Sequence, residues 1–348
     1  MPPGDARLPV NILTGFLGSG KTTVLRHVLR NPAFADTAVL INEFGEVGLD
    51  HLLVGALEDA PVLLASGCIC CSIRGDLSRA LRDLYARRQR GEVPAFGRVI
   101  VETTGLADPT PILATLAADL AIRRHFRPGT IVATLDALHA EGGLARHPEV
   151  SRQAAIADRL IVTKTDLADP GAVARLRHGL RRLNPAAPVV EAVLGAVDPD
   201  TLIGQDIHTA ETRMTEARRW VQGDEAPPPG GHLENSRHGS GAITSFCLRL
   251  PGTLDWSAFG LWLSMLAHRH GDKLLRVKGI LHVENSETPV AIHAVQHMIH
   301  APEHLPDWPD AERGSRIVFI TQGLEPDTVE RSLHAFHRLT RPAARAAG

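Results

Sequence analysis

The sequence predicts an α/β protein, a P-loop NTPase with a mostly parallel sheet, followed by a smaller α+β C-terminal domain. Three observations carry this. Short β-branched runs alternate with helix-like stretches from Pro9 to about Val193, and such alternation implies a parallel sheet covered by helices on both faces. Gly15-Phe16-Leu17-Gly18-Ser19-Gly20-Lys21-Thr22 fits G-x-x-x-x-G-K-[ST] between the first strand and the first helix, the context that pattern requires. A Pro/Gly stretch over residues 223–231 then breaks the pattern, as a linker does.

Taken in order, strands are expected at 10–14, 38–42, 98–101, 130–135, 159–163 and 189–193, each a short apolar run of strand length. Helices are expected at 21–30, 76–90, 110–118 and 171–183. Beyond the linker come a strand at 242–250 and a helix from Asp255, its N-cap, to about His268. Strands near 274–283, 290–299 and 317–321 and a helix at 325–339 complete that domain. The domains read as 1–210, a linker at 211–241, 242–340, and a tail at 341–348.

The 348 residues carry 37 basic and 39 acidic side chains, so no charge excess points to nucleic acid or an anionic membrane. Only four of the basic residues are lysines: Lys21, Lys164, Lys273 and Lys278. The start shows no basic segment leading into an apolar one, and no window approaches the roughly 18 apolar residues of a membrane span. A soluble, cytoplasmic protein is expected.

Glycines let successive backbone N–H groups turn onto phosphates, and a helix N-terminus adds its dipole. Gly15, Gly18, Ser19, Gly20, Lys21, Thr22 and Thr23 are therefore the expected cradle, with Lys21 facing the β and γ phosphates and Thr22 offering a hydroxyl to Mg²⁺. Which base is bound turns on Thr163-Lys164-Thr165-Asp166 at the end of an expected strand. A carboxylate at Asp166 can accept from both N1–H and the exocyclic amine of guanine, a pattern adenine lacks. The Lys164 stem can lie on the base face. This resembles the GTPase N-K-x-D motif with Thr163 in place of Asn. Between the two motifs, Glu102-Thr103-Thr104-Gly105 ends another strand. Glu102 can hold Mg²⁺ and the Gly105 N–H can sense the γ-phosphate, which makes the segment a switch.

Three of the four cysteines fall within Gly67-Cys68-Ile69-Cys70-Cys71. Adjacent Cα atoms lie about 3.8 Å apart, below the usual disulfide range, so metal or redox chemistry suits the cluster better. Zinc needs sulfurs closer together than an extended C-x-C-C provides. Either the backbone bends there, or fewer sulfurs bind and an acidic residue completes the shell, with Glu43 and Glu46 as candidates.

Taken together, Gly15 to Thr23, the Asn42-to-Gly48 segment, the C-x-C-C, Glu102 to Pro109 and the T-K-T-D resemble the CobW group of P-loop GTPases, related to HypB and UreG. Arg276 to Gly279 and His293 to Pro309 resemble its C-terminal domain. The resemblance implies a GTPase, with GTP and Mg²⁺, whose Zn²⁺ or Co²⁺ site is linked to the nucleotide and which delivers metal to a client metalloprotein. It implies Cys68, Cys70 and Cys71 as metal ligands with Glu46 as an oxygen ligand. No residue declares itself as the hydrolytic base, which is compatible with slow hydrolysis awaiting a client or a second protomer, as a nucleotide- or metal-dependent homo-oligomer would supply. Two rivals stay open: an ATP-using P-loop kinase or transferase, and a non-enzymatic metal-binding regulator.

His293, His297, His300 and His304 are spaced 4, 3 and 4 apart, which on a helix would form one metal-binding stripe. The β-branched neighbours favour a strand instead, with His293 and His297 on one face, His300 on the other, and packing or solvated roles for all.

Overall fold

The computed structural model describes residues 6–41, 63–64, 73–198, 214–218 and 242–340. It divides into two compact units, Met1–Leu180 with Ala187–Thr209, and Arg181–Ala186 with Ala210–Gly348. The division is thus not a single cut of the chain.

In the first unit, β1 (Leu8–Gly15) is buried from Val10 onward, as a strand with neighbours on both edges and helices on both faces must be. Its one long polar side chain, Asn11, is stitched into the sheet. Asn11 accepts from the Thr130 N–H at 2.9 Å and donates to the Val99 carbonyl at 3.3 Å, filling the register shift between β1 and β5 (Phe126–Asp136). The other strands are β2 (Thr37–Ile41), β3 (Leu63–Leu64), β4 (Arg98–Glu102), β6 (Arg159–Thr163) and β7 (Val189–Ala192). They lie in the order β3-β2-β4-β1-β5-β6-β7, and every pairing is parallel. All seven carboxyl ends therefore share one edge of the sheet, where ligands of such folds gather.

Helix α1 (Lys21–Leu29) begins at that edge. Val24, Leu25, Val28 and Leu29 recur at helical spacing and pack with Leu13, Phe34, Ile100 and Ile161. Next come α2 (Ile73–Gln89), α3 (Thr110–Ala118) and α4 (Leu120–Arg123). The sequence pattern did not signal α5 (Ala140–Arg146) and α6 (Pro148–Ile156); α7 (Pro170–Leu183) follows β6.

In the second unit, β8 (Ile243–Leu250), β9 (Leu274–Leu281), β10 (Val290–Val295), β11 (Met298–Ile299), β12 (Glu303–His304) and β13 (Ser315–Gln322) form an antiparallel sheet. One face packs Phe246, Val277, Ile292 and Phe319 on Phe259 and Trp262 of α8 (Trp256–His270) and Leu333 of α9 (Pro326–Thr340). Asp255 caps α8, accepting from the Ala258 N–H at 2.7 Å. Residues 214–218, inside the stretch expected as linker, are helical. Met214 and Ala217 are buried there with Ile280, Leu305 and Trp308.

The strand expected over 290–299 is instead a hairpin, because the chain reverses at Gln296 and His297, with Gln296 at φ +50°. The reversal brings His300 opposite His293 on the same face, where the rings stack 4.5 Å apart. His297 leaves the strand altogether, and its ring reaches the Ala267 carbonyl and the Asp272 carboxylate. The four histidines form no common stripe. Among the described residues, no helix is long and apolar enough to cross a membrane.

Candidate functional site

The carboxyl edge of the first sheet brings the two nucleotide motifs together. Gly15 stands where a Cβ would fall 2.2 Å from the Thr134 hydroxyl. Gly18 and Gly20 have φ of +71° and +89°, a region in which other L-residues are strained. These conformations turn the loop tightly around the start of α1. Within it the Lys21 ammonium donates to the Gly15 and Phe16 carbonyls at 2.9 and 3.1 Å. The Ser19 side chain faces the sheet rather than the cradle and shares a 2.6 Å hydrogen bond with the Thr134 hydroxyl.

Beside the loop, the Thr22 hydroxyl donates to the Glu102 carboxylate at 2.7 Å. Glu102 is only 5% exposed, and a carboxylate held that deep favours a cation or strong donors. A hydroxyl and a carboxylate are hard oxygen ligands of the type Mg²⁺ takes, so the pair fits that ion. Gly105 lies against the same loop: a Cβ on it would come 2.5 Å from the Leu17 nitrogen. Underneath, the Thr103 hydroxyl donates to that of Thr14 at 2.9 Å.

The base motif is joined to the cradle through Thr163. Its hydroxyl reaches the Ser19 carbonyl at 2.8 Å, so the short side chain bridges strand and loop directly. Lys164 has φ +58° and donates to Asp136 at 2.6 Å, which holds its stem along the edge of the sheet. Asp166 is exposed one turn further on. Burial pushes the Asp136 carboxyl upward, but the hydrogen bonds from Lys164, the Leu138 N–H and His139 outweigh it and hold the group below the usual carboxylate range.

Residues 9–191 match the CobW/HypB/UreG nucleotide-binding domain, and residues 243–337 match the cobalamin synthesis protein cobW C-terminal domain. The chain belongs to the CobW family. It is 33% identical over 313 residues to a protein named zinc chaperone YjiA of Escherichia coli K12, covering 90% of this chain and 93% of that one. It is 30% identical over 360 residues to a zinc chaperone CobW of Pseudomonas aeruginosa, covering 94% and 91%. The crystal structure of Zn(II)-bound YjiA GTPase from E. coli superposes with a TM-score of 0.69 at 28% identity, over 95% of this chain and 99% of that one.

Cys68, Cys70, Cys71 and Glu46, the residues that the CobW resemblance implies as metal ligands, lie outside the described residues. Among the described residues, β2 ends at Ile41, in register with Glu102, and β3 ends at Leu64.

Three contributors escaped the sequence reading. Asp136 is the last residue of β5, and a carboxylate at that edge was a usable signal. Gly195, at φ +78°, sits where a Cβ would meet the Thr23 carbonyl at 2.7 Å, bringing the turn after β7 to the first turn of α1. Gln153 is a buried polar residue beside Ala154 and Ala155 on the inner face of α6.

Proposed function

We propose that this CobW-family chain is a GTP-hydrolysing metallochaperone that couples its nucleotide to the loading and release of Zn²⁺ for a client metalloprotein. The observation that carries the reading is the meeting, at one sheet edge, of Lys21, the Thr22–Glu102 pair and the Thr163–Lys164 bridge. On this reading the cradle from Gly15 to Thr23 binds the phosphates, with the Lys21 ammonium exchanging loop carbonyls for phosphate oxygens. Mg²⁺ held by Thr22 and Glu102 would neutralise phosphate charge. The Gly105 N–H senses the γ-phosphate, Asp166 accepts from guanine, and the Lys164 stem covers the base.

Zinc is cargo here. The names of the relatives support it, as does the thiolate cluster, whose soft sulfurs suit Zn²⁺; cobalt would be handled by the same donors. No residue of the sequence declares itself as the hydrolytic base, which is compatible with slow hydrolysis that a client or a second copy completes.

The test uses protein purified under reducing conditions. Cys70→Ala with Cys71→Ala should abolish tight zinc binding and leave GDP affinity within twofold. Unchanged zinc stoichiometry would remove the C-x-C-C assignment. Equal zinc affinity with and without a non-hydrolysable GTP analogue, and no phosphate release at any zinc load, would favour a metal-binding regulator. Tighter ATP than GTP binding would favour a P-loop kinase or transferase.

A further inference from the structure

Helix α6 touches the nucleotide loops through three consecutive features. At its start the His147 ring packs on Phe16 of the cradle, with centroids 4.7 Å apart. Arg152 donates to Asp108 at 3.4 Å, and that carboxylate also accepts from the Thr110 N–H at 2.9 Å. Next to Arg152, Gln153, 2% exposed, donates from one amide nitrogen to the carbonyls of both Gly105 and Ala107, at 3.3 and 3.0 Å. Its own carbonyl oxygen is buried and has no hydrogen-bond partner among the described residues. Helix α5 is fastened to α6 by Ser151, whose hydroxyl donates to the Leu144 carbonyl at 3.0 Å.

We propose that Gln153 is a positioning residue: it latches the turn at Gly105–Ala107 to the helix pair α5–α6, which is thereby the element that answers to nucleotide state. The inference rests on the nucleotide reading above. Gly105 cannot shift toward or away from a γ-phosphate without either carrying α6 along or breaking the hydrogen bonds from Gln153, one buried and one part-buried. A buried donor left unmade is costly, so the turn and the helix move together. Holding the Gly105 carbonyl also fixes the plane of the peptide that it shares with the Leu106 N–H. The unused acceptor on Gln153 gives the latch a second arrangement, in which a switch N–H donates to it. Two discrete arrangements biased by a ligand are what a switch requires.

The full-length chain with Gln153→Leu tests this, since leucine fills a similar volume and donates nothing. The kcat for GTP should fall at least tenfold, while KM for GTP and Kd for GDP stay within twofold. In hydrogen exchange, amides of residues 140–156 in the unsubstituted chain should differ between GDP and a non-hydrolysable GTP analogue, and in Q153L this difference should vanish. Wild-type kcat in Q153L overturns the inference, as does a parallel loss of GDP affinity, or exchange over 140–156 that ignores the nucleotide in the unsubstituted chain. If Q153L does not fold, Q153N keeps the site polar but withdraws the amide by one methylene; it should lose kcat alike, and a wild-type rate there overturns the latch. No GTP hydrolysis by the unsubstituted chain, with or without zinc, would overturn the nucleotide reading and the latch with it.

Discussion

Asp136 shows how much a single carboxylate can fix at this edge. Its Oδ2 takes the Lys164 ammonium at 2.6 Å and its Oδ1 takes the Leu138 N–H at 2.8 Å, while only 11% of the side chain is exposed. A charge-assisted hydrogen bond in such a setting is worth roughly 1.5–3 kcal/mol. Asp136→Asn keeps one acceptor but turns an NH₂ toward the ammonium, so Lys164 should leave the base face. Affinity for GTP and GDP should then fall together, by about tenfold or 1.4 kcal/mol, with kcat unchanged. Nucleotide titrations check this, and a loss confined to GTP would contradict it. The pH dependence follows from the lowered carboxyl. A depressed folded pKa gives a contribution fully present above the unfolded value near 3.9 and lost as pH falls through the folded one. The Asp136 carboxylate should therefore add no pH dependence to guanine affinity between about pH 5 and pH 8.

At the scale of elements, the loops after the strands decide what the sheet edge can bind. The turn after β7 is the sharpest case, with Leu194 at φ +51° followed by Gly195 at φ +78°. Gly195→Ala would add left-handed strain of roughly 1–2 kcal/mol and press a methyl on the Thr23 carbonyl. Because Thr23 lies in the first turn of α1, the displacement reaches the phosphate cradle. Lower thermal stability and weaker GDP binding are expected together; a variant unchanged in both would show that the turn yields freely. These elements were unequally legible in the sequence. The loop before α1 was visible because its tight turns need glycines at fixed positions, and Thr163 and Lys164 stood out at the end of an apolar run. Asp136, Gly195 and Gln153 act through proximity to residues far away in the chain, and no local pattern announces that. The hairpin at Gln296 was hidden by the apolar residues around it, which read as one strand because alternation continues across the turn. Positive φ at a non-glycine residue leaves no compositional mark.

For the whole molecule, the question is how a nucleotide could govern a metal. Ile41, in register with Glu102, is the last described residue before the segment that carries Glu46, and Leu64 is the last before the cysteines. Both of these residues end strands whose carboxyl ends lie at the edge that holds the Thr22–Glu102 pair. A nucleotide can bias metal binding only if its two states contact the metal differently. Any bias must be reciprocal: if GTP changes zinc affinity by some factor, zinc changes GTP affinity by the same factor. For a metallochaperone we expect at least tenfold, about 1.4 kcal/mol of coupling. Zinc titrations with GDP and with a non-hydrolysable GTP analogue should give one estimate of it, and nucleotide titrations with and without zinc the other. The two should agree, and both should drop to a factor of one in the Cys70→Ala, Cys71→Ala chain while nucleotide affinity itself persists. Coupling that survives loss of the thiolates would locate the linked metal elsewhere in the chain. A factor of one in the unsubstituted chain would leave a GTPase and a zinc binder in one polypeptide with no energetic connection between them.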